Sequence, residues 1–79
     1  MLRPITSEKA VKMIDVENTL LFETEIQATK YDIKKEIEKI LLVRVDKIRT
    51  FTRGNKKYAY IKLNKNNPAI DVATKLGMI

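Results

Sequence analysis

Between Ala28 and Leu63 the spacing of apolar side chains changes once, and that change constrains the whole fold. Ile33, Ile37, Ile40 and Leu41 recur at i, i+4, i+7 and i+8, which puts them on one helical face. Thr29 stands where it can cap that helix, with Asp32 three residues on to complete a capping box. After Leu42 the period falls to two. Val43 to Arg53 reads as a strand with a fault, since Val43 and Val45 share one parity and Ile48, Thr50 and Thr52 the other. A β-bulge near Asp46-Lys47 restores a single apolar face. Gly54-Asn55 supplies a turn, and the returning strand points Ala59, Ile61 and Leu63 inward, with Tyr58, Tyr60 and Lys62 facing out. A helix thus feeds directly into a hairpin.

The flanks are shorter elements. Leu2 to Ile5 is extended, because Pro4 restricts Arg3 to the β or polyproline region, and it suits an edge strand. Thr6 or Ser7 starts a short helix with Glu8 in its first turn and Ala10, Val11 and Ile14 as its apolar face. That helix is expected to end near Asp15, with a turn at Glu17-Asn18. Thr19 to Ile26 alternates as a strand, Leu20, Phe22, Thr24 and Ile26 on one face and Leu21, Glu23 and Glu25 on the other. Asn67 as cap and Pro68 as first residue open a last helix with the stripe Ile70, Ala73 and Leu76, and Gly77 ends it. No repeat, linker or low-complexity run divides the chain. The expectation is one α+β domain over residues 1–79, with a small, mainly antiparallel sheet of about four strands.

Charge decides which partners suit it. The chain carries 16 Lys and Arg against 10 Asp and Glu, a net charge of +6. From Lys30 to Lys57 there are ten basic and four acidic residues, whereas residues 1–29 carry three and five. A polyanion would therefore land on the middle of the chain. There is no cysteine and no histidine, so disulfides, thiolate metal sites and the usual proton shuttles are excluded. Neither a phosphate-binding G-x-x-x-x-G-K-[ST] nor a G-x-G-x-x-G occurs. The reading is a protein that is not an enzyme and takes no cofactor. No stretch approaches the roughly 20 apolar residues of a membrane span. MLRPITSEKA also lacks the apolar core of a secretory signal, so a cytoplasmic location is expected.

Three constellations carry candidate chemistry. On the reverse face of the hairpin, Arg49, Arg53 and Lys62 stand with Phe51, Tyr58 and Tyr60, and Lys56 and Lys57 sit at the turn. Basic groups there contact phosphates, and the rings either stack on unpaired bases or pack as a second apolar layer. On the central helix, Lys30 and Lys34 lie four apart on one stripe and are further phosphate candidates; Lys35 and Lys39 suit a solvated face beside Glu36 and Glu38. The acidic first third holds Glu8, Asp15, Glu17, Glu23 and Glu25, with no apolar cleft to make two of them a catalytic pair. Lys57 to Leu63, KYAYIKL, does not match the aromatic signature strand of RRM domains.

With these residues in view, the chain resembles the universal large-subunit ribosomal protein twenty-three family, in its archaeal form, over essentially its whole length. Arg3 to Ala10 is similar to the family's opening R-P-[VI]-x-[ST]-E-K. Ala28-Thr29-Lys30, Ile33 and Lys34, with the apolar run Ile40 to Val45, resemble its A-T-K-x-x-I-K-x-x-[IV] helix and third strand. Lys57 to Leu63 resembles its basic-basic-A-Y-[VI]-x-L strand, with Val72 at the spaced apolar position. Tyr58 departs from the pattern where a second basic residue is usual. The tip Arg53 to Lys56 is too short for the tunnel loop of bacterial members; with that, the expectation is a minimal archaeal version without the basic N-terminal extension of the eukaryotic kind.

The resemblance implies a sheet with helices packed on both faces. It also implies a non-catalytic role, binding large-subunit ribosomal RNA near the polypeptide exit tunnel. The RNA-binding residues are then Arg3, Lys9, Lys30, Lys34, Arg49, Arg53, Lys56, Lys57 and Lys62. Glu8, at the position of a chaperone-contacting glutamate in bacterial members, joins Asp15 and Glu17 as a docking surface for nascent-chain factors such as signal recognition particle. Neighbouring ribosomal proteins would be further partners, and the chain would be monomeric outside the ribosome. The alternative is a free-standing basic module that binds an acidic protein.

Overall fold

The computed structural model describes residues 2–77. Among them β1 (Arg3–Pro4), α1 (Glu8–Glu17), β2 (Thr19–Thr24), α2 (Lys30–Leu41), β3 (Val45–Arg53), β4 (Lys56–Leu63) and α3 (Ala69–Lys75) follow in order. The strands make one antiparallel sheet, ordered β1-β2-β4-β3. α2 carries the chain from β2 across to β3, and the tight turn after β3 brings β4 back into the gap between them. The bulge falls where the alternation breaks, with the register shifting between Val45 and Lys47.

The front face of the sheet holds the main core. Leu20, Phe22, Ala59, Ile61, Leu63 and Val45 pack with Ile33 and Ile37 of α2 and Ala69, Val72 and Ala73 of α3. Leu21 and Ala10 are buried outside that cluster. Leu21 projects from the reverse face, α1 packs against β2, and Lys9, Met13 and Glu17 of α1 border the reverse-face residues. Helices therefore serve both faces, with Ile14 of α1 reaching into the main core.

Local chemistry accounts for most of the boundaries. Ser7 Oγ accepts the Ala10 amide hydrogen at 3.2 Å and opens α1. At α2 the capping box is complete: Thr29 Oγ1 accepts from Asp32 N and Asp32 Oδ2 accepts from Thr29 N, both at 3.2 Å. α2 ends on Leu42, at φ 55°, and α1 on Asn18, at φ 52°.

Several expectations need correction. α1 runs to Glu17, two residues past Asp15, because Asn18 rather than Glu17 adopts the left-handed cap; Val11 lies outside its buried face, which Ala10 and Ile14 form. β2 stops at Thr24, the chain turning through Ile26 and Gln27, and Ile26 is left exposed. On α2 the line packed to the core is Ile33, Ile37 and Leu41; Ile40 lies about 60° to its side and is 63% exposed. β3 begins at Val45 instead of Val43. In α3 Pro68 precedes the helix rather than opening it, and the stripe is Ala69, Val72, Ala73 and Leu76, with Ile70 exposed. Asn67 does not cap α3, since its Oδ1 accepts the Arg44 amide at 2.9 Å.

Candidate nucleic-acid interface

Strand register assembles the reverse face. Across β3 and β4, Lys47 pairs with Lys62, Arg49 with Tyr60, Phe51 with Tyr58 and Arg53 with Lys56. Across β4 and β2, Lys62 opposes Thr19, Tyr60 opposes Leu21 and Tyr58 opposes Glu23. Two of these cross-strand pairs, Lys47–Lys62 and Arg53–Lys56, join like charges, an arrangement that destabilises an isolated sheet. A polyanion laid across the hairpin removes that repulsion.

The rings between these pairs pack on each other. Phe51 stacks on Tyr58 with centroids 5.1 Å apart and planes at 21°, and on Tyr60 at 5.2 Å and 25°. Tyr58 and Tyr60 are half-buried and Phe51 is 37% exposed. The rings make a shared platform, partly packed and partly presented to solvent.

Beside that platform α1 and the sheet enclose an open cleft of about 370 Å³. α1 contributes Lys9, Met13 and Glu17; the sheet contributes Thr19, Lys47, Arg49, Tyr60 and Lys62. Four cations thus face one carboxylate. Lys9, Arg49 and Lys62, far apart in sequence, come together here. Lys47 and Met13 were not among the sequence candidates, yet both had a signal. Lys47 shares parity with Arg49 once the bulge is placed, and Met13 stands one helical turn from both Lys9 and Glu17.

Other candidates lie elsewhere. Arg3 and Lys56 both reach Glu23, with Arg3 Nη1 to Oε2 and Lys56 Nζ to Oε1 each 3.5 Å. Arg53 is exposed at the hairpin end. Lys57 alternates onto the front face, where its ammonium donates to the Ala28 carbonyl at 2.6 Å and ties β4 to the entry of α2. Lys30 and Lys34 are exposed on α2, the front-face helix, across the sheet from the cleft.

The acidic set divides too. Glu8 and Asp15, seven residues apart, share one side of α1, while Glu17 lies roughly opposite Glu8 and lines the cationic cleft. Glu38, expected beside lysines, accepts the Val45 amide at 3.1 Å. The Asp32 carboxyl is held below its ordinary range, chiefly because the Thr29 backbone amide donates to it. Among the described residues no cluster of three or more His, Cys, Asp or Glu is placed to hold a metal, and no helix is long and apolar enough to cross a membrane.

The family model described as Ribosomal protein L23 matches residues 1–70. Over 78 residues the chain is 40% identical to the large ribosomal subunit protein uL23 of Saccharomyces cerevisiae, a match covering 98% of this chain and 55% of that relative. The chain therefore spans about half the length of the curated relative it matches.

Proposed function

The chain belongs to the ribosomal protein L23 family, and from that premise we propose that it binds large-subunit ribosomal RNA as a structural, non-enzymatic component of the large ribosomal subunit. The observation that carries this is the reverse face, where register sets Lys62 against Lys47 and Lys56 against Arg53. Like charges held opposite one another suit phosphates better than solvent. Lys9, Lys47, Arg49 and Lys62 form the main RNA contact, with Arg53, Lys56 and Arg3 continuing it along the sheet. Lys30, Lys34 and Lys57 supply a second contact on the front side.

The finer reading places the protein near the polypeptide exit tunnel of a cytoplasmic ribosome, beside neighbouring ribosomal proteins. Glu8 and Asp15 of α1, on the side away from Glu17 and the cationic cleft, face nascent-chain factors such as signal recognition particle. The Gly54-Asn55 tip leaves no long loop, which supports the archaeal form over a bacterial one. Off the ribosome the chain is monomeric.

The test is binding of the full chain to an exit-region rRNA fragment, to a scrambled RNA and to an acidic polypeptide, across a salt series. Preference for the fragment, with a steep salt slope reduced in a Lys47/Arg49/Lys62→Ala variant, supports the proposal. Equal binding to scrambled RNA, or stronger binding to the polypeptide, replaces it with a module for acidic proteins.

A further inference from the structure

The cleft between α1 and the sheet is more than a charged surface. Its volume of about 370 Å³ is at the small end of the roughly 300–1,000 Å³ typical of ligand pockets. Its lining is also of three kinds. Lys47, Arg49 and Lys62 offer only donors and positive charge, as a phosphate requires. Met13 and Tyr60 are half-buried apolar surfaces, and Tyr60 is backed by its stack on Phe51, so its ring is held in place. Glu17 adds acceptors and no donor. A groove that merely tracked a sugar-phosphate backbone would have no use for a carboxylate or for the apolar pair.

Resting on the RNA-binding reading above, we infer that this cleft takes a single unpaired nucleotide of the bound RNA, with guanine as the preferred base. The phosphate lies on the Lys47–Lys62 pair and Arg49, and the base lies against Tyr60 and Met13. The Watson–Crick edge of guanine presents two adjacent N–H donors, which match the two oxygens of Glu17. Uracil presents one donor between two acceptors and matches poorly. The Thr19 hydroxyl donates to the Glu17 backbone carbonyl at 2.9 Å, which fixes the end of α1 that carries this carboxylate.

The experiment is an NMR titration of the isotopically labelled full chain with guanosine monophosphate, uridine monophosphate and inorganic phosphate, repeated on Glu17→Gln. Guanosine monophosphate is expected to shift the Met13, Tyr60 and Lys62 amide signals and to bind about fivefold or more tighter than phosphate, since base stacking on a ring adds to the charge term. In Glu17→Gln, which is isosteric and exposed, the preference for guanosine over uridine monophosphate disappears while phosphate binding persists. Equal binding of phosphate and guanosine monophosphate overturns the base pocket, and an unchanged base preference in Glu17→Gln overturns the guanine assignment. If the rRNA fragment binds while the nucleotides leave the cleft signals unmoved, the pocket is wrong and the RNA reading stands. If the fragment fails to bind, the RNA reading falls and the pocket falls with it.

Discussion

Asn18 and Ala69 are 51 residues apart in sequence, and the Oδ1 of Asn18 accepts the Ala69 amide hydrogen at 2.6 Å. The same side chain turns its Nδ2 toward the carbonyls of Leu63, Asn64 and Asn67, each at 3.2 Å. Two N–H bonds face three acceptors, so one is shared. Its backbone, at φ 52°, closes α1, and its carbonyl accepts the Leu63 amide. One residue thus ends the first helix, anchors the end of β4 and caps the last helix.

Asn18→Ala is expected to destabilise the domain by about 2–3 kcal/mol, from several net hydrogen bonds of about 0.5–1.5 kcal/mol each and the poorer fit of alanine to a left-handed backbone. In a chain this small that is most of the net stability. Urea unfolding would show a lower midpoint with little change in slope. Asn18→Gly, which keeps the backbone freedom but not the side-chain bonds, should recover only part of the loss. Full recovery by glycine would mean the bonds contribute little.

The capping box at α2 makes a pH prediction. Hydrogen bonds from Thr29 lower the Asp32 pKa in the folded state from its ordinary value of 3.8. A depressed carboxylate contributes stability that is present above the unfolded value and is lost as pH falls through the folded one. Unfolding followed from pH 6 downward should show the wild-type advantage over Asp32→Asn shrinking below about pH 4 and vanishing at the acid end. Parallel curves across that range would rule out the linkage.

These two sites show which parts of the fold were legible in sequence. Thr29 and Asp32 act within one helical turn, so spacing alone reveals them, and the bulge before Ile48 shows in the broken alternation of its own strand. Asn18 acts on partners 45 to 51 residues away, and nothing near it in sequence signals that. Asn67 illustrates the same limit, since a cap-type residue beside Pro68 is diverted to Arg44 by the packing of another connection. The cleft was half legible: strand parity groups Arg49 with Lys62, but only the placement of α1 adds Lys9, Met13 and Glu17. Lys57, grouped by its place at the turn with the reverse-face set, is carried by β-alternation onto the front face, where it meets the Ala28 carbonyl.

Glu23 stands between two candidate RNA contacts, Arg3 and Lys56, at 3.5 Å from each. Both cations are well exposed, so these pairs add little to stability, within about 1 kcal/mol. Their effect on binding is larger, because phosphate must compete with the carboxylate. Glu23→Gln should leave the unfolding midpoint nearly unchanged and raise rRNA affinity severalfold at low salt, the gain fading as screening rises. A fall in affinity would show that Glu23 positions Arg3 and Lys56 instead of occupying them.

The facing lysines of β3 and β4 predict opposite effects on stability and on binding. Lys47 and Lys62 occupy one cross-strand position in the cleft that also holds Lys9 and Arg49. Lys62→Glu converts this repulsion into attraction and is expected to stabilise the free protein by about 0.2–1 kcal/mol. The same change removes a proposed phosphate contact and adds a negative charge at the centre of the proposed RNA surface. Binding to the exit-region fragment should weaken by more than tenfold at moderate salt, with the salt slope reduced by about one to two. Denaturant unfolding and a salt-resolved binding series on the same variant read the two effects separately. A variant that is both more stable and equally tight-binding would remove the reverse face from the interface. A variant that loses stability would instead show that the lysines serve the fold.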